Sequence, residues 1–140
     1  MPVFANQEQL YTSMRLLFDR LQTQDSGSTQ ALLASRLVIR LRCTSPALEI
    51  NIHGRQRPVK ITYAPSSLRP DLDVELTADA LHAILMSELP LKKALASGQM
   101  KVRGPVLKIF ALEEILHRGQ ALYPHIVREQ GLNGSSPAGA

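Results

Sequence analysis

The chain has no tryptophan, and aromatic residues make up only 4% of its 140 residues. A buried core must therefore be built mainly from leucine, isoleucine, valine and methionine. Cys43 is the single cysteine, so the chain cannot form a disulfide with itself. The longest unbroken apolar run has four residues, for example 109–112, and is too short to cross a bilayer.

Residues 1–7 also lack the basic and apolar regions of a signal peptide. Together with the lone cysteine, this predicts an intracellular, cytoplasmic protein. The hydrophobic content of 44% favours one globular domain, which we expect to cover residues 1–132. Residues 133–140 are small and polar, and we expect them to form a disordered tail.

The net charge of +4 and the pI near 9.6 allow attraction to anionic partners. The cationic residues are dispersed, however, and no aromatic residues alternate with them as single-strand binding would require. No helix-turn-helix, zinc-finger or basic-zipper pattern is present. Nucleic acid is therefore not an expected partner.

The residue types that carry most enzyme chemistry are also not spaced as in the common catalytic motifs. There is no Gly-x-Ser-x-Gly elbow and no phosphate-binding glycine loop, and Cys43 has no evident base partner. Asp71, Asp73 and Glu75 share one strand face, but nothing nearby in the sequence completes a metal shell. We therefore predict no catalytic residue, no metal and no cofactor, and a protein that is not an enzyme.

The first half of the chain predicts one helix and then strands. Apolar residues recur at helical spacing in segment 7–24. Four later segments alternate between apolar and polar residues, which is typical of strands with one buried and one solvated face. These segments are 36–42, 48–53, 59–63 and 72–76. Turn residues separate the first three, which predicts a three-stranded antiparallel meander.

The second half predicts helices around one more strand. Thr77 or Asp79 can cap a helix that ends at Pro90, and a short helix is expected over 91–96. A strand follows in segment 97–104, between two glycines. Each glycine either has a positive φ at the strand end, which we favour, or lies where a helix passes too close for a Cβ.

The last part of the chain predicts two helical segments. The first runs from the second of these glycines to about His117. Gly119 is expected to break the chain before a segment over 120–130, which Pro124 interrupts.

Two segments resemble motifs of the sterol carrier protein two family. Segment 73–81 reads Asp-Val-Glu-Leu-Thr-Ala-Asp-Ala-Leu, and segment 97–104 reads Ser-Gly-Gln-Met-Lys-Val-Arg-Gly. The second segment matches the family's glycine-flanked strand, Gly-x-hydrophobic-Lys/Arg-hydrophobic-x-Gly, which leads into a helix. The likeness covers residues 7–130. Because residues 138–140 lack the peroxisomal signal of eukaryotic members and no enzyme is fused, a stand-alone bacterial member is expected.

This resemblance implies an α+β fold with a five-stranded, mainly antiparallel sheet in the order 3-2-1-4-5. Helices would cover one face, and an apolar tunnel between sheet and helices would hold a fatty acyl chain, a sterol-like or an isoprenoid ligand. The predicted ligand contacts are apolar residues on the helices and the fifth strand, although plain core packing is the preferred interpretation for any single one of them. They are Met14, Leu17, Leu81, Leu85, Met100, Val102, Leu107, Phe110, Ala111, Ile115 and Ile126.

The strand order makes a prediction about charge on the other face of the sheet. From strand 3 to strand 5 the polar residues would alternate in sign, as favourable cross-strand pairs require. They are Lys60; Glu49 and Asn51; Arg40 and Arg42; Asp73 and Glu75; Lys101 and Arg103. We interpret this face as solvated and ion-paired in preference to a docking patch.

These observations favour a protein that binds a lipid-like molecule for transfer or presentation. An accessory or dimerisation module that partners a lipid-modifying enzyme, without an open cavity, is the alternative. An enzyme that holds its substrate in the tunnel is a third interpretation. These hypotheses also allow a transient interaction with a membrane surface or with a partner enzyme.

Overall fold

The computed structural model describes residues 3–24, 36–56, 59–105 and 108–132. Leu107 and the tail over 133–140 lie outside the described residues, so the predictions made for them are not addressed by the structure. The described elements are four helices and five strands. They are α1 (Gln7–Gln24), β1 (Val38–Thr44), β2 (Leu48–His53), β3 (Lys60–Thr62), β4 (Leu72–Thr77), α2 (Ala78–Leu85), α3 (Leu91–Ser97), β5 (Met100–Arg103) and α4 (Ile109–Gln130).

The five strands form one sheet in the order β3-β2-β1-β4-β5, as predicted. β1, β2 and β3 pair antiparallel as a meander, and β5 pairs antiparallel with β4. β1 and β4 are parallel, with Arg40 opposite Asp73 and Arg42 opposite Glu75. The sheet is therefore mixed, with one parallel pair at its centre.

The core lies between one face of this sheet and the helices. The strands contribute their inward-facing residues Ile39, Leu41, Ile50, Ile52, Leu72 and Val74, each at most 1% exposed. Helix α1 presents one stripe to them, formed by Leu10, Met14, Leu17 and Leu21. Helix α4 packs on both α1 and α2 and closes the layer. Burial of each such side chain contributes about 1.5–3 kcal/mol.

Helix α2 begins as expected and ends earlier than expected. The Thr77 Oγ accepts a hydrogen bond from the backbone amide of Ala80 at 3.0 Å, so Thr77 is the cap. The helix stops at Leu85, and the amides of Glu88 and Leu89 then turn back to the carbonyl of Ala83. The prediction that Pro90 ends this helix is wrong, because these amides close it first.

Proline at position 90 has a different place in the fold. It is the residue that precedes the first turn of α3, where its backbone is extended with φ −62°. Proline has no backbone N–H group. The N–H groups at the start of a helix have no partner within the helix, so a proline there costs no hydrogen bond. Pro90 therefore starts a helix in this chain.

Helix α4 runs without interruption through Gly119 and Pro124, so the predicted break at Gly119 is wrong. Six buried side chains hold the two halves against α1 and α2. They are Leu112, Ile115, Leu116, Tyr123, Ile126 and Val127. Glycine and proline cost a helix about 1 and 3 kcal/mol, and the burial of these six side chains outweighs both.

Gly119 also permits close helix packing. A Cβ at this position would lie 3.2 Å from the Leu85 Cδ2 and 3.6 Å from the Leu17 Cδ1. The glycine therefore lies at a close contact of α4 with side chains of α1 and α2, within a continuous helix.

The structure distinguishes the two predicted roles of the glycines that flank β5. Gly98 has φ +79°, and a Cβ there would have nothing within 4 Å. Gly104 has φ +135°, and a Cβ there would lie 2.5 Å from the backbone oxygen of Asp71. The positive φ is confirmed at both positions, and only Gly104 also needs the missing side chain for a close approach.

We expect Gly104→Ala to destabilise the protein clearly more than Gly98→Ala. Both variants force alanine into a left-handed region, at a cost of about 1–2 kcal/mol. Gly104→Ala must in addition move backbone away from the new Cβ, which adds roughly 1–3 kcal/mol. Urea denaturation of the two variants measures the difference, and equal losses would contradict the close approach of β5 to Asp71.

Candidate functional site: an apolar groove between helices

The residues predicted to contact a ligand fall into three groups in the structure. Seven are at most 3% exposed and pack in one core cluster: Met14, Leu17, Leu81, Leu85, Met100, Ile115 and Ile126. Val102 and Ala111 are partly buried against that cluster. Phe110 is 66% exposed. The structure thus brings nine of these residues together with one another and leaves Phe110 at the surface.

A groove opens where α2, the start of α3 and the first half of α4 meet. Its volume is about 390 Å³, within the range of roughly 300–1,000 Å³ that is typical of ligand sites. Ile84 and Leu116 are buried and form an apolar floor, and Leu91 is partly buried at one wall. The floor is continuous with the hydrophobic core, because Ile84 and Leu116 belong to the same cluster.

The rim of the groove is polar. It consists of Lys92, Glu113, Glu114, His117 and Gln120. The Gln120 Nε2 donates to the backbone oxygen of Ile84 at 3.0 Å, which ties α4 to the end of α2. The Glu114 Oε1 accepts from the Arg118 Nε at 2.7 Å. A polar rim above an apolar floor can hold an amphipathic molecule, with its apolar part inside and its polar group at the edge.

Phe110 is not one of the residues that line this groove, but it precedes them on α4. It lies three and four residues before Glu113 and Glu114 on α4, and residues at these spacings share one side of a helix. Phe110 and Leu68 are the large hydrophobic side chains that the described structure exposes most. The position of Phe110 on the outer side of α4, away from the sheet, explains why it does not join the core.

A buried polar pair joins α2 to α4 below the groove. The His82 Nδ1 and the Tyr123 hydroxyl are 2.7 Å apart, and the two residues are 4% and 0% exposed. The imidazole also meets the edge of the Phe4 ring, with centroids 6.1 Å apart. A polar contact of this kind inside a core is favourable only while both partners stay hydrogen-bonded.

Burial sets the protonation state of this pair. Burial lowers the pKa of His82 from its ordinary 6.5, although the nearby carboxylates of Glu88 and Asp79 act in the opposite direction. Burial also raises the pKa of the Tyr123 hydroxyl. At neutral pH the imidazole and the phenol are therefore both uncharged, and the hydroxyl can donate to Nδ1.

The polar face of the sheet has the predicted alternation from β2 to β5, with Arg42 opposite Glu49, Arg40 opposite Asp73 and Lys101 opposite Glu75. At the β3 edge Lys60 lies opposite His53 and not opposite Glu49 or Asn51. Direct ion pairs concentrate between β1 and β4. The contacts are Arg40 to Asp73 at 2.7 Å, Arg42 to Asp73 at 3.3 Å and Arg42 to Glu75 at 3.8 Å. The hydrogen bonds from Arg40 lower the pKa of Asp73. These charges stabilise the strand pairing and are thus not free for a partner.

The carboxylates and the thiol singled out in the sequence are also occupied or inaccessible. Asp71 accepts from Arg55 at 2.7 Å, while Asp73 and Glu75 pair as described. Within the described residues, no three His, Cys, Asp or Glu side chains are grouped to hold a metal ion. Cys43 is buried, and burial raises the pKa of its thiol to about 12, so it is not a nucleophile at neutral pH.

Neither the groove nor the His82–Tyr123 pair is predicted by the sequence. Leu112, Ile115 and Leu116 recur at helical spacing beside Glu113 and Glu114, which indicates a helix with both an apolar and a polar side. That signal could have suggested a groove wall. No local signal pairs His82 with a residue 41 positions away.

Fold and groove together define a small α+β domain with an open, apolar-floored site on its helical layer. The model of the SCP-2 sterol transfer family matches residues 18–117, and the chain belongs to this family. No curated protein matches the chain. Among the described helices, none is long and apolar enough to span a membrane.

Solved structures show the same fold. The sterol carrier protein domain 2 of Helicoverpa armigera superposes with a TM-score of 0.66 at 15% identity, covering 86% of this chain and 96% of that one. Sterol carrier protein 2 from Yarrowia lipolytica, in its apo form, gives 0.61 at 16% identity, covering 76% and 88%. The ubiquinone synthesis protein UbiJ-SCP2 gives 0.58 at 16% identity, covering 86% and 96%.

We expect Tyr123→Phe to lower the free energy of unfolding by about 1–3 kcal/mol, because His82 would be left buried without its partner. Replacing both residues, with His82→Leu and Tyr123→Phe, should cost less than the sum of the single changes. Urea denaturation of the four proteins in this cycle measures the coupling. A strictly additive result would contradict a stabilising hydrogen bond.

We also expect the stability of the protein to fall as the pH drops below 6.5, the ordinary pKa of histidine. The pKa of His82 is lower in the folded state, so the unfolded state binds more protons in this range. The stability due to neutral His82 is therefore present above pH 6.5 and lost as the pH falls through the folded pKa. Denaturation between pH 7 and 5 should show a smaller slope for His82→Leu than for the wild type. His53, whose pKa is also lowered, is common to both proteins. Identical slopes would contradict this assignment.

Proposed function

We propose that this protein binds a lipid-like apolar molecule, such as a fatty acyl chain, a sterol-like or an isoprenoid ligand, for transfer or presentation. Membership of the sterol transfer family supports a lipid ligand. The observation that carries the proposal for this chain is the open groove with an apolar floor, one helical turn along α4 from the exposed Phe110.

The groove between α2, α3 and α4 is the proposed entrance. Ile84 and Leu116 offer an apolar surface that is continuous with the core, and Phe110 extends it along α4. An exposed phenylalanine next to such a floor is a favourable place for an acyl chain to begin contact. The polar rim would hold the head of the ligand in water.

The eleven residues predicted from the sequence remain the proposed lining for a longer ligand. Seven of them are packed against one another in the structure, so a chain that enters beyond the floor must separate α4 from its neighbours. Each methylene buried in this way contributes about 0.8 kcal/mol, which can offset the loss of contacts between the helices. The methionines among them, Met14 and Met100, can adapt to different chains.

We propose that the protein carries out no chemistry on this ligand. The single thiol is buried, and the buried imidazole of His82 bonds with Tyr123. Release to a membrane surface or to a partner enzyme, in the cytoplasm, is part of the same proposal. The net charge of +4 favours approach to an anionic surface.

Two measurements test the proposal. The purified protein is extracted and examined by mass spectrometry for carried lipid, and a fluorescent fatty acid is then bound and displaced. Phe110→Asp should weaken binding of the probe by about tenfold or more, because it removes the contact of one large apolar side chain.

Leu68→Asp is the matched control, since Leu68 is the other exposed large hydrophobic residue and lies between β3 and β4 rather than on α4. It should leave binding unchanged. The absence of both carried lipid and probe displacement would overturn the carrier proposal. Equal losses in the two variants would show that the groove is not the entrance.

The packed interior supports one second candidate function. A domain whose core is already filled could serve as an accessory or dimerisation module for a lipid-modifying enzyme. Phe110 would then be a protein contact, because exposed aromatic residues are enriched at interfaces. In that case Phe110→Asp would change the oligomeric state in sedimentation experiments, while neither the wild type nor the variant would bind the fluorescent fatty acid.

A further inference from the structure

A second cavity lies on the opposite face of the sheet from the helices, at the β2–β3 edge. Its volume is about 390 Å³, and it is formed where the segment after β3 folds back over the polar face. The Asn51 Nδ2 donates to the backbone oxygen of Ala64 at 2.9 Å, which holds this segment in place. The cavity therefore has a wall of strand residues and a wall of loop residues.

His53 is the unusual residue in this cavity. It is only 8% exposed, yet within the described part of the chain neither of its ring nitrogens makes a hydrogen bond. Its ring nitrogens are not among the fully buried polar atoms without a partner, so they reach the solvent in the cavity. Here the ring lines the cavity, so its polar atoms are available to something inside it.

The other polar residues around the cavity are hydrogen-bond donors. Lys60 lies directly opposite His53 on the neighbouring strand, which places their Cβ atoms about 5 Å apart. Hydroxyl groups complete the lining, from Thr62, Ser66 and Ser67. A cation, an imidazole N–H and hydroxyl groups around one space form an arrangement that recognises oxyanions.

Carboxylates are absent from this lining. Glu49 reaches the same loop, but its Oε2 accepts from the Asn51 Nδ2 at 3.0 Å and from the Ser66 amide at 3.3 Å. In the sequence, segment 54–70 contains four arginine or lysine residues and no aspartate or glutamate. Burial and, after it, the charge of Lys60 lower the pKa of the His53 imidazole, so Lys60 is the cation that acts on this ring.

From this geometry we propose that the cavity at His53, Lys60 and Thr62 binds a phosphate-like tetrahedral oxyanion. The bound group is either a free phosphate or the phosphate of a lipid headgroup, since both present the same oxygens. His53 and Thr62 donate to it and Lys60 supplies the charge. This site lies across the sheet from the groove, so it does not rest on the proposed lipid carrier function.

Titration with inorganic phosphate tests the site directly. Amide and imidazole resonances are followed by NMR at constant ionic strength, with inorganic sulfate as a second tetrahedral anion. We expect saturable shifts at His53, Lys60 and Thr62. Lys60→Gln and Thr62→Val should each weaken binding by about fivefold or more.

Lys93→Gln is the charge-matched control, because Lys93 is exposed on α3 and lies away from this cavity. It should leave the affinity unchanged. Thr62→Val keeps the shape of the side chain, so a loss of binding without a loss of folded signal reports the hydroxyl group. Shifts that spread over all lysines and ignore Thr62→Val would reduce the effect to general charge attraction and overturn the proposal.

Vesicles distinguish the two sources of the anion. Phosphatidylcholine vesicles with and without phosphatidic acid are sedimented with the wild type, Lys60→Gln and Lys93→Gln. Binding that requires phosphatidic acid and Lys60 but not Lys93 assigns the site to a headgroup, and binding of inorganic phosphate alone assigns it to the free anion. No specific response to either would overturn the site while leaving the lipid groove untouched.

Discussion

The parallel pairing of β1 with β4 is the constraint on which the rest of the structure depends. Parallel neighbours cannot be joined by a hairpin, so the chain must leave the meander at Thr62 and return beside β1 at Leu72. The connecting segment crosses the polar face, where Asn51 holds it, and it roofs the cavity at His53. The same pairing sets Arg40 beside Asp73 at 2.7 Å.

The position of the helical layer depends on where strand β4 of this central pair ends. β4 passes straight into α2, whose Leu85 faces the close approach of α4 at Gly119. One end of the contact between α2 and α4 is held by the buried His82–Tyr123 pair, and the groove opens beside α3, where Ile84 and Leu116 form its floor. The contact between α2 and α4 thus combines a buried polar pair with an open apolar surface.

The strands were predictable because alternation assigns every residue to a face. Their order was implied by the family resemblance, and the charges agreed with it because that order places opposite signs together. Arg40 and Asp73 are the clearest example. The break at Gly119 was predicted wrongly for the opposite reason. Helix propensity differs by only about 1 kcal/mol at such a residue, and burial of neighbours such as Ile115 and Tyr123 exceeds it. Phe110 was predicted as a ligand contact, but not as an exposed one.

Taken by itself, the sequence determined which residues of each helix and strand are apolar, and hence which face of the sheet is buried. The tertiary structure alone decided where those faces leave space. The groove at Leu116 needs α2, α3 and α4 to meet, and the cavity at His53 needs the loop at Ser66 to fold back over β2. Periodicity is a property of neighbours along the chain, whereas an opening depends on how closely distant segments can approach, and that is settled by packing.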